Sequence, residues 1–116
     1  MGRLTTHVLD TARGCPAASV QLALYRIGDG RELIRRDVTN SDGRLDAPIL
    51  ADGEFSPGVY ELVFQAGDYF RANHVDLPDP AFVDEVVLRF GIADAAAHYH
   101  VPLLVSPWSY STYRGS

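Results

Sequence analysis

The sequence holds a single cysteine, Cys15, so no internal disulfide can form and the fold must rest on burial and hydrogen bonding. A reducing compartment suits such a chain, and Cys15 is expected to be a buried, inert thiol near a turn. No apolar run is long enough to span a bilayer, and the amino-terminal MGRLTTHVLD lacks the apolar stretch of a signal peptide. A cytoplasmic protein without a membrane partner is the expectation. Basic blocks are also missing. Arg35-Arg36 is the longest, in a chain with ten basic residues, fifteen acidic ones and a formal charge of −5, which excludes a phosphate-tracking nucleic-acid surface. Linkers, low-complexity tracts and repeats are absent, so residues 1–116 read as one domain. The motifs of cofactor and covalent chemistry are missing too: there is no G-x-S-x-G elbow, P-loop, G-x-G-x-x-G, cysteine pair or H-E-x-x-H. No cofactor is expected.

What is present is period-two alternation, broken by turn residues about every eight to twelve positions. Leu4–Leu9 is a β-rich run. Ser19–Ile27 sets Val20, Leu22, Leu24 and Arg26 on one face, before the turn at Gly28-Asp29-Gly30. Glu32–Thr39 reads as a strand closed by Asn40-Ser41-Asp42-Gly43. In Gly58–Gln65, Tyr60, Leu62 and Phe64 oppose Val59, Glu61, Val63 and Gln65. Val83–Ile92 and Tyr99–Ser106 are the most apolar strands, and Trp108–Tyr113 is the last. Ala66–Asn73 is the one helix candidate, too short to stand without packing. About seven or eight strands and one helical turn predict an all-β, two-sheet sandwich.

One strand stands apart. Alternation over Ala97–Ser106 puts Tyr99, Val101, Leu103 and Val105 on a core face, and His98, His100, Pro102 and Leu104 opposite. Two imidazoles among apolar neighbours make neither good core nor ordinary surface, and Pro102 implies a sheet edge or a bulge. The pair could be two surface histidines or a site. A shared metal ion would need a third ligand from His7 or His74, and no thiolate or carboxylate pattern supports one. His7, beside Thr5 and Leu9, and Arg44, after the Asp-Gly turn, carry no catalytic signal by themselves. His74 falls in an irregular polar stretch and receives no role.

Three blocks, LTTHVLDTARGCPAA, TNSDGRLDAP and HYHVPLLVSPWSYSTYRGS, run in order from Leu4 to Ser116. Together they resemble the 5-hydroxyisourate hydrolases, a transthyretin-like family whose chains end Tyr-Arg-Gly-Ser. The resemblance is least distinctive between about Glu54 and Phe90. It implies a transthyretin-like β-sandwich that assembles as a homotetramer, a dimer of dimers around a channel. It implies hydrolysis of 5-hydroxyisourate in urate degradation, with His7, Arg44 and His100 catalytic. Ser111, Tyr113, Ser116 and, nearer the rim, His98 would join His7 and Arg44 in binding substrate. The other readings are a carrier of a small aromatic ligand in the same channel, and an Ig-like interaction module without a pocket.

Overall fold

The computed structural model describes residues 2–115. Its strands are β1 (Arg3–Thr5), β2 (Val8–Asp10), β3 (Cys15–Pro16), β4 (Gln21–Ile27), β5 (Arg31–Val38), β6 (Leu50–Ala51), β7 (Gly58–Gln65), β8 (Glu85–Ile92), β9 (His98–His100), β10 (Leu103–Val105) and β11 (Tyr110–Thr112). The predicted helix is present as α1 (Ala66–Ala72), directly after β7.

One sheet runs β5-β4-β7-β8, antiparallel throughout. Its register aligns Leu22 with Phe64 and Val86, and Leu24 with Leu62 and Leu88. These rows form the inner face, all buried, and residues two apart share it, as the alternation predicts. The second sheet is built from shorter pieces. β1 pairs in parallel with β9 and β2 in parallel with β10, while β6, β3 and β11 flank them antiparallel. Val101 N–H donates to the Thr5 carbonyl and Leu103 N–H to the His7 carbonyl, carrying one ladder across both breaks. The Leu4–Leu9 and Tyr99–Ser106 runs are therefore single interior strands, each interrupted once. Leu4, Val8, Tyr99, Val101, Leu103 and Val105 turn inward and close the core against the first sheet. Each large apolar side chain so buried contributes about 1.5–3 kcal/mol.

The interruption has an identifiable cause. Pro102 lies in an interior strand, not at an edge, with its donor-less nitrogen toward the last strand, on the side where its carbonyl accepts from the Thr112 hydroxyl. β11 therefore ends at Thr112, and pairing resumes only where Gly115 N–H donates to the His100 carbonyl at 2.7 Å. Of the two possibilities the sequence allowed at Pro102, the structure has the irregularity and not the edge.

The helix is docked by burial of Ala66, Gly67, Tyr69 and Phe70. The Tyr69 hydroxyl donates at 2.7 Å to Asp10, a buried carboxylate that also accepts from Arg13 Nε and from the Ala12 and Arg13 amides. Burial, followed by the bond to Asp10, pushes the Tyr69 phenol up, so it stays a donor. At the other end, His74 N–H donates to the Arg71 carbonyl and Val75 N–H to the Phe70 carbonyl, a Schellman closure with His74 left-handed at φ 65°. Glycine suits that position better than any L side chain. His74→Gly is expected to raise stability by about 0.5–1 kcal/mol in urea unfolding, with activity unchanged. A destabilised variant would show that the His74 side chain, exposed here, holds something in place.

Candidate active site

The outer face of the second sheet follows from its register. Arg3 sits beside His98, Thr5 beside His100 and Leu9 beside Leu104. Period two then places Arg3, Thr5, His7 and Leu9 in one row, and His98, His100, Pro102 and Leu104 in the next. The parallel pairing of two strands from opposite ends of the chain makes His7 and His100 diagonal neighbours.

Arg44 reaches this face through the Asn40–Gly43 turn. The Asn40 side-chain oxygen accepts from the amides of Asp42 and Arg44, and Gly43 N–H donates to the Asn40 carbonyl. Gly43 has φ 75°, and a Cβ there would run into the Val8 carbonyl, so turn and strand touch backbone to backbone. Val8 N–H donates to the Gly43 carbonyl at 2.8 Å, and His7 and Arg44 face each other as a bridge. His7 Nε2–H adds a bond to the Asp42 carbonyl at 2.8 Å. The Asp42 carboxylate takes the Nε of Arg44 at 3.1 Å. That leaves the fork of two Nη groups for an oxygen-rich ligand.

His100 is clamped on two sides. Its Nδ1 lies 2.8 Å from the Thr5 hydroxyl oxygen. Gly115 backs its other edge so closely that a Cβ there would stand 2.9 Å from Cδ2. Burial first, then the charge of Arg44 and then His7, holds His100 below its ordinary value of 6.5. The ring is therefore neutral near pH 7 and able to take a proton.

The structure brings His7, Arg44 and His100 together within one chain. His98 is exposed at the edge of the same face, and its carbonyl accepts from Arg114. Ser111 is exposed, aligned with Leu104 on that face but one strand further from His7. Tyr113 borders a different hollow, between Val87–Gly91 and Tyr99, which none of the three central residues lines. Ser116 lies outside the described residues. A hollow of about 470 Å³ lies on the outer face of the other sheet around Tyr25, Arg36 and Val63 and holds no histidine. Among the described residues no three side chains of His, Cys, Asp and Glu converge as a metal-ligand set. Sequence reading passed over Thr5, Asp42 and Gly115. Thr5 could have been found, since it shares a face with His7 in period two. Asp42 acts through its carbonyl and a carboxylate pair within its own turn, and Gly115 through its backbone, none of which alternation reports.

A model of the HIUase/Transthyretin family matches residues 4–115. A 5-hydroxyisourate hydrolase of Pseudomonas aeruginosa is 65% identical over 117 residues, covering 100% of this chain and 93% of that protein. Among solved structures, an (S)-allantoin synthase superposes with a TM-score of 0.95 at 50% identity; it covers 99% of this chain, which spans only 44% of it. The 5-hydroxyisourate hydrolase of Klebsiella pneumoniae superposes with a TM-score of 0.84 at 34% identity, over 100% of both chains.

Proposed function

The chain belongs to the HIUase/transthyretin family, and on that premise we propose that it hydrolyses 5-hydroxyisourate to 2-oxo-4-hydroxy-4-carboxy-5-ureidoimidazoline in urate breakdown. The observation that carries this reading is the meeting of His7, Arg44 and His100 on one accessible face. A carrier of an aromatic ligand calls for an apolar wall, whereas this face offers two imidazoles and a guanidinium.

The chemistry needs a water made nucleophilic and a tetrahedral oxyanion held in place. Among the described residues no serine or cysteine nucleophile adjoins the pair, so water attacks directly. A neutral imidazole takes one proton from the water as its oxygen adds to the ring carbonyl carbon. Arg44 draws the oxyanion. The carbon–nitrogen bond then breaks, the electron pair leaves with nitrogen, and the imidazolium returns the proton to it. His98 and Ser111 complete the substrate contacts at the rim; Tyr113, which the resemblance would set beside them, borders the other hollow instead.

Assembly is part of the reading. β8 and β11 each present an unpaired edge, and the hollow between them is walled by Leu88, Val101, Tyr110 and Tyr113. Two open edges flanking apolar surface support pairing with a second copy, and the family's dimer of dimers would then enclose the histidine face as a channel. The single free Cys15 suits a cytoplasmic location.

The test is direct. 5-Hydroxyisourate generated from urate should decay faster with this protein present than by itself. Exhaustive chelation should leave that acceleration intact, because among the described residues no third ligand stands beside the histidines. An EDTA-sensitive rate restored by zinc would overturn the metal-independent mechanism, and an unchanged decay would overturn the activity.

A further inference from the structure

Two imidazoles on one face raise the question of which is the base, and their hydrogen bonds answer it. We propose that Thr5 is a positioning residue whose hydroxyl accepts the His100 Nδ1–H, so that the neutral ring carries its lone pair on Nε2 and His100, not His7, is the base. The proposal deepens the hydrolase reading and rests on it.

A carbonyl oxygen can only accept. His7 Nε2, bonded to the Asp42 carbonyl at 2.8 Å, must therefore carry a proton in the neutral ring, and its lone pair falls on Nδ1, beside the side-chain stem. His7 thus presents only its hindered nitrogen, as an acceptor, and is suited to orienting substrate. His100 is held the other way round. Its stem-side nitrogen, Nδ1, meets Thr5 at 2.8 Å, and Gly115 blocks the Cγ–Cδ2 edge, so the ring cannot swing and Nε2 is the nitrogen left for substrate. A hydroxyl can donate or accept, but once His100 has taken a proton both its nitrogens bear hydrogen. Thr5 must then accept from Nδ1. If it accepts beforehand as well, proton uptake at Nε2 requires no rearrangement. Parallel pairing makes Thr5 the in-register neighbour of His100, so the contact is built into the sheet. The charged groups around His100 are His7 and Arg44, with Asp42 ion-paired to Arg44. Arg3 and Asp46 border the adjoining pocket with Thr5, and Arg114 lies over Tyr99 on the far side of the strand. None of these supplies an acceptor to Nδ1 among the described residues.

The experiment is selective ¹⁵N-histidine NMR on the whole protein, with His100 assigned from a His100→Gln spectrum, together with kinetics of Thr5→Val and Thr5→Ser. Wild type should show His100 protonated at Nδ1 near neutral pH. Thr5→Val keeps the shape and β preference but removes the acceptor. It should shift the ring toward the Nε2–H form, lower kcat about tenfold with KM within about twofold, and move the acid limb to lower pH. Thr5→Ser should restore the tautomer and most of the rate. A merely structural threonine would give the opposite order, valine tolerated and serine worse. That order, or Nε2–H in the wild type, would overturn the proposal. Should Thr5→Val fail to fold, Thr5→Ala removes the same hydroxyl and carries the same expectation. If His100→Gln retained full activity while Thr5→Val still shifted the tautomer, the base assignment would fall and the hydroxyl tie would stand.

Discussion

Alanine at His7, Arg44 or His100 is expected to lower kcat/KM for 5-hydroxyisourate by about 10²-fold or more, the usual worth of a general base or a charge clamp. The three should differ in kind. His100→Ala removes the proton acceptor and should fall on kcat. Arg44→Ala removes the fork that holds ring oxygens, and also frees the Asp42 carboxylate it now neutralises, so KM should rise with kcat falling. His7→Ala deletes the bond to the Asp42 carbonyl, a tie between turn and strand, and both parameters should move. The tie is exposed, so the cost to folding should stay below about 1 kcal/mol. His74→Ala, at the helix end, should leave the rate within about twofold. A loss at His74 comparable with that at His100 would mean the chemistry lies elsewhere on the molecule.

The rate is expected to be flat across neutral pH and to drop on the acid side by about tenfold per pH unit once the base is protonated. The sign follows from the cause. Burial disfavours the charged imidazole, and Arg44 and His7 add repulsion, so His100 sits below 6.5 and is neutral, hence active, at neutral pH. Because His7 and His100 interact, the measured limb belongs to the pair. Spontaneous decay of the substrate has to be subtracted at every pH. Arg44→Ala removes one source of the depression, so in whatever activity remains the limb should move to higher pH. A profile still climbing between pH 7 and 9 would point to a group of higher pKa as the base and sink the imidazole mechanism, leaving family membership untouched.

Much of this is legible in the sequence. Period-two alternation is a property of a single strand: side chains must point to opposite faces whatever lies next door. It therefore set Tyr60, Leu62 and Phe64 together on one face, turned His98 and His100 away from a core set, and made a β-sandwich the architecture. Resemblance of the three blocks supplied the hydrolase reading, which neither alternation nor composition could reach. Only the tertiary structure decided that β1 and β2 lie parallel to β9 and β10. That pairing joins residues about a hundred positions apart because closing two inner faces on one core leaves the chain ends side by side, and no local rule encodes it. It makes Thr5 the partner of His100. The turn that delivers Arg44 shows the same division. Asn40-Ser41-Asp42-Gly43 announces a turn by residue type, but that the Asp42 carbonyl meets His7 depends on where the turn docks. The tautomers of the two histidines, and with them the division of labour between base and orienter, rest on backbone and hydroxyl contacts made across strands, which one strand's sequence cannot specify.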